Sequence, residues 1–226
     1  MVTQLPSTGK PGCDTSDMNM IHGMFRSILN EAPKLVRSVA QSDTEHAAAV
    51  AGHLSDLISG LHNHHHGEDL LLWDELAARA PACAAHVDQM RAQHAAVSDD
   101  LDALEALIPA WRETADVADR EAVAAAVETV RSALFAHLGQ EEEQILPVAS
   151  GVFSQPEWDK LGEHGRASVP RDRQLIQLGY ILNSMSPEDA RAWAKANLPV
   201  PIRLLYRLVG RRQFEAEQRA VRGAVV

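Results

Sequence analysis

Aromatic side chains are scarce, 4% of 226 residues, although hydrophobic residues as a whole reach 46%. That apolar content builds a core and excludes wholesale disorder, and the poverty in aromatics beside abundant alanine favours close-packed helices over sheet. Cysteine is nearly missing. Cys13 and Cys83 are too few for a disulfide framework or a zinc ribbon. No apolar run approaches the ~20 residues that a bilayer span requires, and Met1 to Gly12 holds no leader-like apolar stretch. A soluble, cytoplasmic protein is the expectation. Positive charge is short as well: the net charge of −10 argues against nucleic acid as a partner. The deficit is uneven, with 9 Lys/Arg against 23 Asp/Glu in residues 1–150 and 12 against 8 in residues 151–226. A basic tail on an acidic body most simply docks onto it.

Sustained period-two alternation is also absent, so no strand is expected. What the chain does have is helical periodicity. Residues 1–14, with Pro6, Gly9, Pro11 and Gly12, read as a flexible arm. A first helix from about Asp17 to Ala40 carries the stripe Met18, His22, Phe25, Leu29, Ala32, Val36 and Val39, with Pro33 expected to kink it. A second starts near the cap candidates Asp43 and Thr44, runs to about Arg79 and shows Val50, Leu54, Leu57, Leu61, His64, Glu68 and Leu71. The third, after Pro81, reads Val87, Met90, His94, Val97, Leu101, Leu104, Ile108 and Trp111. The fourth begins near Asp119, reads Val123, Val127, Val130, Leu134, His137, Glu141 and Ile145, and is expected to end at Pro147. Short links make successive helices antiparallel neighbours. The expected fold class is therefore all-α: an up-down-up-down four-helix bundle over residues 15–150, followed by a helical, basic C-terminal extension over residues 151–226.

Each stripe is apolar except at one place. His22, His64 with Glu68, His94, and His137 with Glu141 interrupt the four in turn. Buried ionisable groups are costly unless paired or bound to metal. Depth along the bundle provides an independent check. His22 lies about 20 residues before the first turn and His64 about 22 after it; His64 about 16 before the second and His94 about 14 after; His94 about 22 before the third and His137 about 21 after. At ~1.5 Å per residue the mismatches are roughly 3 Å or less, so the four histidines share one cross-section. The two HxxxE pairs place imidazole and carboxylate on one helix face. Nitrogen and carboxylate donors suit iron, manganese or zinc, and six of them suit two metals rather than one tetrahedral zinc.

This set, one histidine on the first helix, HxxxE at 64–68, His94 on the third helix and HxxxE at 137–141, resembles the hemerythrin-like HHE cation-binding domain. The likeness covers roughly residues 17–150. It implies a non-haem di-iron centre, carboxylate- or oxo-bridged, with His22, His64, His94 and His137 as terminal ligands and Glu68 and Glu141 as bridges. The extension is similar to tails of actinobacterial members. One position departs: oxygen-carrying hemerythrins have a further histidine four residues before the third-helix ligand, where this chain has Met90, a thioether and a poor ligand for ferric iron. Either His65, on the edge of the stripe with Ile58 and Leu72, replaces that imidazole, or water fills an open position at which peroxide, oxygen or nitric oxide reacts.

The resemblance implies a protein that reacts with or senses O2, peroxide or NO. Peroxide decomposition or another redox turnover is one form of this, and reversible binding, storage or sensing of oxygen or iron without turnover is the alternative. A ferritin-like oxidase would need ExxH pairs, and both pairs here run HxxxE. Elsewhere His62 and His66 read as solvated; His46, His53 and His86 as helix starts or outer faces; Glu142 and Glu143 as surface; and His164 as lacking a partner. Asp69 is either a surface carboxylate or an acceptor that orients a ligand imidazole. For the basic amphipathic stretch Leu198 to Phe214, packing on the acidic bundle is favoured over a protein partner, and a membrane surface comes last.

Overall fold

The computed structural model describes residues 12–223, and they form helices with no strand among them. Four long amphipathic segments make the body: α1 (Ser16–Ser38), α2 (Thr44–Leu71), α4 (Ala84–Thr114) and α5 (Val117–Gln140). Between them lie a short α3 (Trp73–Arg79) and a tight turn at Pro81–Cys83. Asp43 caps α2 by accepting from His46 N, and Asp116 caps α5 by accepting from Ala118 N and Asp119 N. α5 therefore starts two residues before the Asp119 expected from the sequence. α1 continues unbroken through Pro33.

Two boundaries differ from the sequence reading. The second segment does not run to Arg79 as one helix. It breaks at Leu72, and the restart turns the consecutive residues Leu72 and Trp73, both fully buried, into one apolar cluster while Leu71 stays half-buried. The fourth does not end at Pro147. It passes through a π-helical turn at Glu141–Ile145 into α6 (Leu146–Val152), with Pro147 in the first turn of α6.

The apolar interior is divided in two. One cluster runs through the long helices, with Phe25, Leu61, Val97 and Leu134 at its edge. The other gathers Met18, Trp73, Met90 and Ile145 at one end. On every long helix the polar positions noted above fall between these two sets.

The extension comprises α7 (Gln155–Ser168), α8 (Gln174–Asn183), α9 (Pro187–Asn197), α10 (Val200–Leu205), a π-helical turn at Tyr206–Gly210, and α11 (Arg211–Arg222). It docks on the acidic body through specific pairs. Arg173 joins Asp56 of α2 to Glu217 of α11, and Arg222 reaches Glu31 at 3.2 Å. Trp158 Nε1 donates to Asp17 at 2.8 Å. Phe214 packs so closely on Gly179 that a Cβ there would lie 2.5 Å from the ring. The segment expected to dock, Leu198 to Phe214, contributes little of this: Gly210 and Phe214 are buried, and Leu204, Leu205, Leu208 and Val209 face outward. Of the expected flexible arm, residues 1–11 lie outside the described residues, whereas Gly12 N and Cys13 N donate to Phe153 O and Ser150 O.

Glu157 anchors the junction between body and extension. It accepts from Arg79 at 2.9 and 3.1 Å and closes a capping box with Ser154. Hydrogen bonds from Arg79 are the main reason that its carboxyl is held at about 2 rather than 4.5. The charged form is thus favoured in the fold, so its contribution is complete above the unfolded value and fades as pH falls from about 4.5 toward 2. Glu157→Gln should cost about 1.5–3 kcal/mol at neutral pH, read by urea unfolding, and the difference from wild type should shrink across that acid window.

Candidate metal centre

Helical spacing positions the polar layer. His64 and Glu68 stand one turn apart on α2; His137 lies in the last turn of α5 and Glu141 opens the π-helical turn, again one turn on. His22 of α1 and His94 of α4 complete the ring. His22, Glu68, His137 and Glu141 are fully buried, and His65 and His94 are nearly so. The structure brings all six stripe residues together and adds His65.

The side chains converge as two sets whose donor atoms lie within 4.8 Å of one another: His22, His64, Glu68 and Glu141, and His65, Glu68, His94 and His137. Glu68 belongs to both, with Oε1 at 3.3 Å from His64 Nε2 and Oε2 at 3.3 Å from His94 Nε2. Glu141 Oε2 lies between the sets, 3.5 Å from His22 Nε2 and 3.6 Å from His137 Nε2. Nine atoms here, the Nε2 of all five imidazoles and the four oxygens of Glu68 and Glu141, are buried without a hydrogen-bond partner. Such a cluster is strongly unfavourable by itself, and the nitrogen and carboxylate donors fit a cation of the iron, manganese or zinc type.

Electrostatics agree with that fit. Burial, then the neighbouring imidazoles, push His64 and His65 well below the ordinary histidine range and His137 to about 3. Neutral imidazole, the form that ligates metal, is therefore the state of these three at neutral pH. At His94 burial is outweighed by the hydrogen bonds and charge of Glu68 and Asp69, which raise the group. Burial raises Glu68 and Glu141, and the Glu68 charge adds to the effect on Glu141.

The opposite edges of three rings are tied down. His94 Nδ1 donates to Asp69 Oδ1 at 2.9 Å, and Trp73 Nε1 donates to the same oxygen at 2.8 Å. His137 Nδ1 donates to Gln93 at 3.2 Å, and Gln93 in turn donates to Gln140. His22 Nδ1 donates to Glu142 Oε1 at 2.9 Å, which also accepts from Arg26. Each bond fixes a tautomer that turns Nε2 inward. Burial tends to raise Glu142, but the bonds from His22 and Arg26 outweigh it and hold the group at about 2. Glu142 is thus not the plain surface carboxylate the sequence suggested. The π-helical turn beside it and the Arg26 partner carried no legible signal.

Other histidines fall away from the layer. His62 lies 3.4 Å from Asp102, and His66 is exposed, its ring 5.6 Å from that of His164. His53, read as an outer-face residue, is buried beneath the extension: Tyr180 stacks on it at 5.1 Å and bonds Nδ1 at 3.1 Å. His164 packs on Gly67, where a Cβ would lie 2.9 Å from its ring, so α7 covers the backbone next to Glu68. A cavity of about 540 Å³ opens along α2 and α4, lined by His62, His66, Arg91 and Ser98, and reaches the rings of His65 and His94.

The family described as the hemerythrin HHE cation binding domain matches residues 14–149. No curated protein and no solved structure matches the chain.

The crowding of carboxylates makes a crossed outcome testable. In metal-free protein Glu141, raised to about 8, must take up a proton to stay buried beside Glu68 at neutral pH. Glu141→Gln carries no such cost and should raise stability by about 1–3 kcal/mol. The same change should lower the metal bound per chain. Thermal melts with and without added metal read both, and a Glu141→Gln variant less stable without metal would contradict the reading.

Proposed function

We propose, from the premise that the chain belongs to the hemerythrin HHE cation binding domain family, that its bundle holds two iron ions and uses them to react with or sense dioxygen, peroxide or nitric oxide. The observation that carries this reading is the pair of His/Glu sets sharing Glu68, with nine buried donor atoms otherwise unpaired. In it His22, His64 and Glu141 would hold one ion and His65, His94 and His137 the other, with Glu68 common to both sets. Glu141, between His22 and His137, would be a carboxylate within reach of both ions. Iron bound there would supply electrons and a Lewis-acidic position to a small ligand. The up-down-up-down course of α1, α2, α4 and α5, with links as short as Val39–Asp43 and Ala115–Asp116, belongs to the same reading.

The remaining chemistry falls to the chain's own side chains. Met90 packs in the end cluster with Trp73, and His65, stacked on His94 at 4.2 Å, stands in for the imidazole that other members place on the third helix. Asp69, Gln93 and Glu142 hold three ligand rings in one tautomer. The cavity beside His65 and His94 admits a ligand the size of peroxide, and the apolar clusters close the layer from either side along the bundle. A second reading, sensing without turnover, draws on one contact: His164 of the extension sits on Gly67 beside Glu68, so a change at the metal reaches α7 directly.

Elemental analysis together with a hydrogen peroxide assay tests the proposal. Iron-loaded protein should hold two irons per chain and consume peroxide. His65→Ala should lose about half of the iron, and Met90→Leu should keep it. Full iron with unchanged peroxide would favour sensing over turnover. One zinc per chain, or no iron after dialysis, would overturn the di-iron reading.

A further inference from the structure

The described residues expose nine large hydrophobic side chains, and six of them lie within ten residues of one helix: Val200, Ile202, Leu204, Leu205, Leu208 and Val209. Leu204 is 52%, Leu208 61% and Val200 67% exposed. Val200, Leu204 and Leu208 follow one another at four-residue spacing, and Leu205 and Val209 form a parallel column. Arg203, Arg207 and Arg211 run beside them at the same spacing, and Arg212 continues the Leu204–Leu208 line. Tyr206, Gly210 and Phe214, on the opposite side, attach the helix to α8. Soluble proteins rarely leave so large an apolar strip open.

Charge narrows what covers it. Residues 190–214 contain six Lys/Arg and no Asp or Glu. Arg211 pairs with Glu215, and among the described residues Arg203, Arg207 and Arg212 have no acidic partner. A second copy packed face to face would bring these arginines together without a counter-charge. The acidic body of another copy offers no matching apolar strip, because its exposed large hydrophobics, Leu70, Leu107 and Val117, are one each on α2, α4 and α5. The strip is a convex helix face of aliphatic side chains, without the buried aromatic anchors typical of a protein hot spot. Leucines that sink a few ångströms while arginines extend their heads sideways describe a helix lying at an anionic interface.

We propose that α10, the π-helical turn after it and the start of α11 dock this protein on anionic lipid surfaces, with the Val200–Leu204–Leu208 face entering the headgroup layer and Arg203, Arg207 and Arg212 binding lipid phosphates. No helix of the described residues is long and apolar enough to cross a membrane, so the association is peripheral and reversible. The acidic body faces away from the surface, and the charge asymmetry between body and tail orients the approach.

Co-sedimentation of the full-length, iron-loaded chain tests this against two vesicle types, phosphatidylcholine alone and phosphatidylcholine mixed with phosphatidylglycerol. The anionic vesicles should bind at least about tenfold more tightly, because each arginine near an anionic surface is worth about fivefold, and salt should weaken the binding. Leu204→Asp with Leu208→Asp should abolish it, and Arg203→Gln with Arg207→Gln should reduce it by more than tenfold, both with unchanged circular dichroism and iron content. Equal or absent binding to both vesicle types would overturn the proposal, as would binding that survives the two aspartates. A wild-type dimer that the aspartates convert to monomer would assign the face to a second copy instead. Binding to polyglutamate as tight as to vesicles and indifferent to the leucines would assign the arginines to an acidic protein.

Discussion

Seven polar side chains held between two apolar clusters are the constraint on which the rest of this structure depends. The helices have little freedom to turn His22, Glu68, His137 or Glu141 toward water, because apolar residues flanking them on each helix, Met18 and Phe25, Leu61 and Leu72, Leu134 and Ile145, are locked into the core. Burial of that many unpaired donors and acceptors is unfavourable by several kcal/mol per group unless a partner arrives. Metal cations, one at each His/Glu set, are partners whose charge would satisfy these atoms. The fold thus supplies a preorganised site, and occupancy in turn stabilises the fold.

Preorganisation extends one layer outward. Asp69, Gln93 and Glu142 each hold the far nitrogen of a ring, and each is itself held, by Trp73, Gln140 and Arg26 respectively. Trp73 can do this because the helix break at Leu72 turns it inward, and Glu142 is placed by the π-helical turn that follows His137. The irregularities in α2 and α5 are therefore connected to the site: they carry its supports. The extension adds a lid over one side, with α7 seated on the Glu68 segment through His164 and Gly67, and it keeps an exposed basic helix at the other end.

Much of this was legible in the sequence, because helical periodicity and HxxxE spacing are local properties. The apolar stripes are buried almost residue for residue, and equal depth from the turns brings four histidines from four helices together. His65 was legible only as an alternative. Its column with Ile58 and Leu72 lies at the border of the stripe, and which side of a border faces inward depends on how neighbouring helices rotate. The break at Leu72 and the π-helical turn at Glu141–Ile145 had no signal, since each is a response to tertiary packing. Glu142 looked like one more residue of an acidic run because Arg26, its partner, is 116 positions away. His53 looked exposed because the cover that buries it, Tyr180, arrives from the extension. Charge asymmetry foretold docking of the tail, but the docking runs through Arg173, Phe214 and Arg222, and the segment with the densest arginines points outward.

Crystals of iron-loaded protein, measured on both sides of the iron absorption edge, would locate the metal. Two anomalous peaks are expected inside the bundle, one among His22, His64 and Glu141 and one among His65, His94 and His137, with Glu68 between them. A single peak, or peaks outside the histidine layer, would contradict the di-iron reading.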